Sequence, residues 1–225
     1  MRSCIRLPSG PLEPLPAHLA GDDVRFPPAL VHHFLEEFTR PGDVVFDPFA
    51  GFGTTLVVAE SLGRRACGVE LDAARVAFAR QRLRRPEALV HGDSRRLETY
   101  GLPAVDCCFT SIPYCTQEET SDPLTWYAAP GKGYHAYLAD LQSIFRQVVG
   151  LLRAGAITVV EVANLRDATR RAGPVTTLAW DVGRALSAVL RFEGEVVVDW
   201  EPTYGYGYDH SYCLVFRPPP GSGRP

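Results

Sequence analysis

The sequence predicts a doubly wound α/β fold, a mostly parallel seven-stranded sheet with an antiparallel final strand and helices on both faces. Three observations carry that prediction. Short hydrophobic runs alternate with helix-length amphipathic stretches over most of the chain, the pattern of βαβ repetition. The last two runs are joined by a segment with no helical pattern, which makes them an antiparallel pair. Polar residues of chemical interest, Asp47, Glu70, Asp93 and Ser111, fall one after another where such runs end. Ligands bind at that edge of an open α/β sheet.

Taken in order, Pro27-Pro28 starts an amphipathic helix that runs through Val31 to Phe38. Val44 to Asp47 is a short buried strand, and the helix from Thr54 to Leu62 stops at Gly63. Ala66 to Glu70 is the next strand. Asp72 caps the helix that continues to Arg84. Strands follow at Ala88 to His91 and Val105 to Thr110, and the segment 115–134 has the Pro, Gly, Asp and Thr content of a loop. A helix from Tyr137 to Leu152 leads into the strand Ala156 to Ala163. Another from Val175 to Leu190 precedes strands near Glu193 to Trp200 and Ser211 to Arg217. The expected organisation is an N-terminal arm over 1–23, one domain over 24–217 and a disordered tail over 218–225, where Pro218-Pro219-Pro220-Gly221-Ser222-Gly223 begins.

The 225 residues are 46% hydrophobic and 22% charged, ordinary values for one globular domain. No apolar run approaches the ~20 residues of a membrane span, so a cytoplasmic protein with no membrane partner is expected. The six cysteines show no metal-ligand spacing and are read as reduced, with no metal site. A net charge of -3 excludes a uniformly basic nucleic-acid binder. A local basic face is still available, because Arg75, Arg80, Arg82, Arg84 and Arg85 share one helical stretch, with Arg95 and Arg96 beyond it. Such a stretch reads either as a solvated helix face or as a phosphate-contacting surface.

Two motifs carry the chemistry. The first is Asp47-Pro48-Phe49-Ala50-Gly51-Phe52-Gly53-Thr54, a strand end, a glycine turn and a helix start. Glycines there permit φ > 0 and let backbone approach a ligand closely. The dinucleotide fingerprint is excluded because Leu56 occupies its third glycine position, and a phosphate loop is excluded by the absent Gly-Lys-Ser/Thr. Glu70 at the next strand end is placed to accept hydrogen bonds from ribose hydroxyls. Asp93 with Ser94, after the third strand, is placed to meet an adenine amino group.

The second motif, Ser111-Ile112-Pro113-Tyr114, ends the fourth strand. An exocyclic amino nitrogen of a nucleobase is a poor nucleophile, because its lone pair is delocalised into the ring. Two acceptors aimed at its hydrogens draw it toward tetrahedral geometry. Ser111 Oγ and the Ile112 carbonyl are the candidates, with Pro113 fixing the turn and Tyr114 stacking on the base. A duplex target must then flip its base out of the helix. A third cluster, from Tyr204 to Tyr212, offers Tyr206, Asp209 and His210 as walls of a base pocket.

These residues resemble the S-adenosyl-L-methionine (SAM) dependent amino-group DNA methyltransferases, especially the N4-cytosine enzymes with a Ser-Pro-Pro-Tyr signature. The resemblance covers about residues 24–217 and implies a Rossmann-like class I methyltransferase fold. It implies that Asp47, Phe49, Gly51, Gly53 and Thr54 bind SAM, that Phe26 and Pro27 close over its methionine end, and that Glu70 holds the ribose and Asp93 with Ser94 the adenine. Ser111, Ile112, Pro113 and Tyr114 take the place of the catalytic tetrapeptide. Asp209-His210-Ser211-Tyr212 is similar to the family's His-Glu-Tyr element. Ile112 stands where the family has its first proline, and no separate target-recognition domain is expected. The expected partner is therefore nucleic acid, DNA first and RNA second, with a partner subunit as another source of specificity. The other functions weighed are methylation of an RNA or nucleoside-like amine and a non-catalytic SAM-binding subunit.

Overall fold

The computed structural model describes residues 2–10, 13–22, 25–115, 117, 123–124, 133–166, 175–204 and 208–223. Its main sheet comprises β1 (Cys4–Pro8), β2 (Val44–Asp47), β3 (Arg65–Glu70), β4 (Leu89–His91), β5 (Val105–Ser111), β6 (Leu152–Val162), β9 (Arg191–Tyr204) and β10 (Tyr208–Arg217). The spatial order is β1-β9-β10-β6-β5-β2-β3-β4. Strand β10 runs antiparallel to both its neighbours, β6 and β9, and the other pairings are parallel. A two-stranded ribbon pairs β7 (Leu165–Arg166) with β8 (Val175–Thr176).

The helices are α1 (Pro28–Phe38), α2 (Thr54–Ser61), α3 (Ala73–Arg82), α4 (Tyr134–Val149) and α5 (Leu178–Leu186). Helix α1 opens at Pro27, whose fixed φ of -63° suits a helix entry, and buries Leu30, Val31, Phe34 and Leu35 at helical spacing. Helix α3 is capped by the Asp72 side chain, which accepts from the Arg75 amide at 2.8 Å. One core layer sits between the sheet and α4 with α5, built on Phe46, Cys108, Tyr137, Phe145 and Val182. The other lies under α1, α2 and α3, around Phe34, Leu56, Phe109 and Val159. Covered on both faces, β2 has all four residues buried, hence its apolar run Val44-Val45-Phe46 ahead of Asp47. No helix among the described residues is long and apolar enough to cross a membrane.

Three features differ from the sequence expectations, one being that Val175 and Thr176, expected to open the last helix, form β8, with α5 running Leu178–Leu186. The sheet has eight strands in place of seven, because β1 adds to the outer edge of β9. In that strand only Ile5 is buried, and Arg6 turns outward to Asp199 at 2.7 Å, so no hydrophobic run announces it. Residues 218–223, expected as a disordered tail, close a turn in which the Ser222 amide bonds the Pro219 carbonyl at 3.1 Å. The arginine stretch, read as a solvated helix face or a phosphate-contacting surface, is bonded into the protein in part, and Arg80, Arg84, Arg85 and Arg96 are exposed. Arg80 donates to the Leu89 carbonyl at 2.7 Å and Arg82 to the Phe52 carbonyl at 2.9 Å. Arg75 lies over the Phe52 ring, and Arg95 pairs with Asp93.

Candidate functional site

The sheet order reverses between β2 and β5, and both motifs meet at the carboxyl ends of those two adjacent strands. The glycine turn is a closed circuit of hydrogen bonds. The Ala50 amide donates to the Val69 carbonyl at 3.0 Å, and the Gly53 amide to the Ala50 carbonyl at 2.7 Å. Gly51 adopts φ 52°, and its amide donates to Glu70 Oε2 at 2.7 Å. Gly53 adopts φ 81° at the start of α2, where a Cβ would come 2.9 Å from that of Ala79. Both the dihedral and the close approach of α3 demand glycine there. Phe49 is half-buried against the core, and Thr54 is buried in the first turn of α2.

Glu70 ends β3 and is 8% exposed. Its second oxygen accepts from the Asp72 amide at 2.8 Å, so each carboxylate oxygen holds one backbone donor and keeps acceptor capacity for a ligand. Burial pushes its carboxyl above the ordinary value, and the two amide bonds work against that. Asp93 caps the short 3-10 helix Ser94–Thr99. Burial raises its carboxyl, but bonds from the Arg95 side chain and amide outweigh that and hold it below the ordinary value. The Ser94 hydroxyl donates to the Pro48 carbonyl, which ties the third loop to the glycine turn. Phe26 packs edge-on to Phe109 with ring centroids 5.8 Å apart, and Pro27 beside it is buried.

Asp47 links the two motifs. Its Oδ1 accepts from the Phe49 amide at 2.9 Å and from the hydroxyl of Thr110, the neighbour of Ser111, at 2.7 Å. Burial pushes its carboxyl up to about 6 despite these bonds.

At the end of β5, Ser111 donates through Oγ to Glu161 Oε2 at 2.8 Å, and the Tyr114 hydroxyl donates to the same oxygen at 3.1 Å. Ile112 turns its side chain into the core, 3% exposed, and the Pro113 carbonyl accepts from the Tyr137 hydroxyl at 2.6 Å. The tetrapeptide is thus pinned from the sheet and from α4. Asp209 bonds His210 Nδ1 at 2.6 Å, and that contact lowers the Asp209 carboxyl. His210 Nε2 lies 3.3 Å from the Tyr212 hydroxyl, and Tyr212 meets the exposed Trp180 with ring centroids 5.2 Å apart. Tyr206 lies outside the described residues, as does most of the loop 115–134.

Sequence reasoning missed Glu161, Thr110 and Tyr137. Glu161 had a signal, a lone carboxylate inside the apolar run Ile157 to Ala163 just before the strand ends. A buried charge is costly unless bonded, so its placement requires partners.

The residues present fit a nucleoside-bearing sulfonium cofactor. A Cβ on Gly51 would meet nothing nearer than the Phe49 carbonyl at 4.0 Å, so the turn presents open backbone. Asp47 and Glu70 are buried carboxylates beside it, suited to a cation.

Comparison with known proteins agrees. The DNA methylase family model, of N6 and N4 type, matches residues 17–81. A type II methyltransferase of Streptococcus pneumoniae, M2.DpnII, is 42% identical over 57 residues, 25% of this chain and 21% of that protein. The match therefore spans about a fifth of the relative's length. Among solved structures, TrmN from Thermus thermophilus superposes with a TM-score of 0.60 at 20% identity, covering 85% of this chain and 49% of its own. A putative class I SAM-dependent methyltransferase from Listeria monocytogenes superposes with a TM-score of 0.58 at 14% identity, covering 88% and 61%. SAM is the cofactor that this fold and family imply. Over residues 17–81 the chain matches the DNA methylase family model, and its fold is similar to that of the solved class I methyltransferase structure.

Proposed function

We propose that the protein transfers a methyl group from SAM to the exocyclic amino group of a nucleobase, N4 of cytosine in DNA first. The observation that carries this reading is the pair of hydroxyls, Ser111 and Tyr114, that donate to Glu161 where β5 ends beside the glycine turn. A serine hydroxyl has one proton and two lone pairs. With the proton committed to Glu161, Ser111 offers an incoming group only acceptor character. An amino group, rich in N–H, is the matching partner. The Ile112 carbonyl supplies the second acceptor, and the Tyr114 ring offers a stacking face worth about 1–3 kcal/mol.

Bound SAM supplies an electrophilic methyl on a positively charged sulfur. The Gly51–Gly53 turn lets the backbone approach it, Glu70 accepts from the ribose hydroxyls, and Asp93 faces the adenine amino group. Phe26 and Pro27 cover the methionine end, while Asp209 and His210 wall the base. DNA is favoured over RNA because the matched segment belongs to the DNA methylase family and M2.DpnII is a type II methyltransferase. Cytosine is favoured over adenine by the serine in Ser111-Ile112-Pro113-Tyr114.

The test is incubation with methyl-labelled SAM and separate DNA, tRNA, rRNA and nucleoside pools, followed by nucleoside mass analysis. Label in N4-methylcytosine of DNA is the expected result. Label in N6-methyladenine or in RNA alone overturns the finer assignment, and no label in any pool overturns amino methylation itself.

A further inference from the structure

Glu161 is a charged residue inside the sheet, 1% exposed, and its register explains its contacts. It stands opposite Ser111 on β5 and opposite Cys213 on β10. The Cys213 thiol is pushed well above its ordinary range, by burial first and by the Glu161 charge second, so it is no proton acceptor. On the other side, one Glu161 oxygen gathers both hydroxyls of the tetrapeptide, Ser111 at 2.8 Å and Tyr114 at 3.1 Å. A carboxylate buried at this cost for packing alone would be replaced without penalty by an apolar side chain of its volume. The bonds from Ser111 and Tyr114 instead tie it to the two side chains proposed to touch the base.

We infer that Glu161 is a positioning residue with a second duty: it locks Ser111 as an acceptor and receives, through Ser111, the proton that the methylated amine sheds. This rests on the amino-methyltransferase reading. In the step, the amine nitrogen forms a bond to the methyl carbon as the sulfur–methyl bond breaks, and that electron pair leaves on sulfur. The nitrogen, now positive, gives one proton to Ser111 Oγ while the Ser111 hydroxyl proton passes to Glu161. The serine ends as it began, the charge on nitrogen is discharged, and one carboxylate is protonated. The same lock sets substrate class. Ser111 held as an acceptor favours a base carrying –NH2 over one carrying C=O at the same ring position, cytosine over uracil.

Two variants separate the duties. Glu161→Gln keeps a carbonyl oxygen for both hydroxyls but cannot take the proton. Glu161→Leu removes the acceptor and frees the Ser111 hydroxyl to rotate. The probes are oligonucleotides that differ only in one cytosine or uracil, bound to protein loaded with S-adenosylhomocysteine and read by fluorescence anisotropy. Single-turnover methylation of the cytosine oligonucleotide and SAM calorimetry accompany them. The unsubstituted protein should prefer cytosine. Glu161→Gln should keep that preference and its SAM affinity while the methylation rate falls about a hundredfold, the usual worth of a proton acceptor. Glu161→Leu should lose about tenfold of the preference, within the discrimination carried by a base-edge contact. An unchanged rate in Glu161→Gln overturns the proton route, and an undiminished preference in Glu161→Leu overturns the lock. Loss of SAM affinity in both would make Glu161 part of the cofactor site and overturn the inference. An unsubstituted protein that methylates none of the pools sinks the underlying reading, a result distinct from all of these.

Discussion

Replacing Glu70 by Gln tests the cofactor site with the smallest change in shape. In the structure its two carboxylate oxygens each hold a backbone donor, the Gly51 amide at 2.7 Å and the Asp72 amide at 2.8 Å. A glutamine has one carbonyl oxygen, so one of those amides would face an NH2 group and lose its acceptor. A hydrogen bond to a charged group is worth about 1.5–3 kcal/mol. Part of this returns, because burial raises the Glu70 carboxyl and the neutral side chain escapes that cost. The net loss of fold stability should therefore stay near 1 kcal/mol. SAM binding should suffer more. The Gly51 turn loosens, and the ribose hydroxyls meet an amide in place of a carboxylate. A loss of about 1–3 kcal/mol corresponds to roughly five- to 150-fold in Kd. Calorimetric titration with SAM and with S-adenosylhomocysteine should show the same loss for both, since they share the ribose. Unchanged affinity for both would mean that Glu70 only ties the glycine turn to β3, and the ribose assignment would fall.

Three further substitutions have defined outcomes. Ser111→Ala should leave SAM affinity near that of the unsubstituted protein while turnover falls about a hundredfold, as for loss of one oriented transition-state contact; a matching loss of SAM affinity would place Ser111 in the cofactor site. Tyr114→Phe keeps the ring and gives up the bond to Glu161, so about fivefold in kcat is expected, whereas Tyr114→Ala also forfeits stacking and should cost more in kcat/KM. Equal losses in the two would show that the hydroxyl alone matters. Asp47 has its native carboxyl raised from 3.8 to about 6, so its favourable contribution is complete below about 4 and is lost as pH rises through 6. That loss amounts to about 3 kcal/mol. Asp47→Asn can keep Oδ1 as the acceptor for Phe49 and Thr110, and its stability curve between pH 4 and 7 should be flatter. Denaturant melts showing the same slope in both proteins would refute this.

Much of the architecture was legible because a sheet covered on both faces leaves a plain record. Val44 to Asp47 reads as a strand since all four residues are buried, and α1 repeats at 3.6-residue spacing because it buries one stripe. The glycine turn was equally legible, since Gly53 must adopt a positive φ and admit α3 at the same point. Edge strand β1 was not, because a strand with one buried side chain and an outward arginine has no periodic signature. The arginines of α3 read as a solvated face or a phosphate surface, and the sequence did not show that Arg80 and Arg82 bond the carbonyls of Leu89 and Phe52.

By itself the sequence determined the order of the central strands and helices and the place of the two motifs at strand ends. These are local properties, written in periodicity and in the dihedral demands of glycine and proline. Only the tertiary structure decided what each polar group is bonded to. Asp47 turned out to join the cofactor turn to Thr110 across 63 positions of chain, and Glu161 to gather Ser111 and Tyr114 from 50 and 47 positions away. Such pairings depend on which strands lie side by side, and strand order is set by the packing of the whole sheet, not by any one segment.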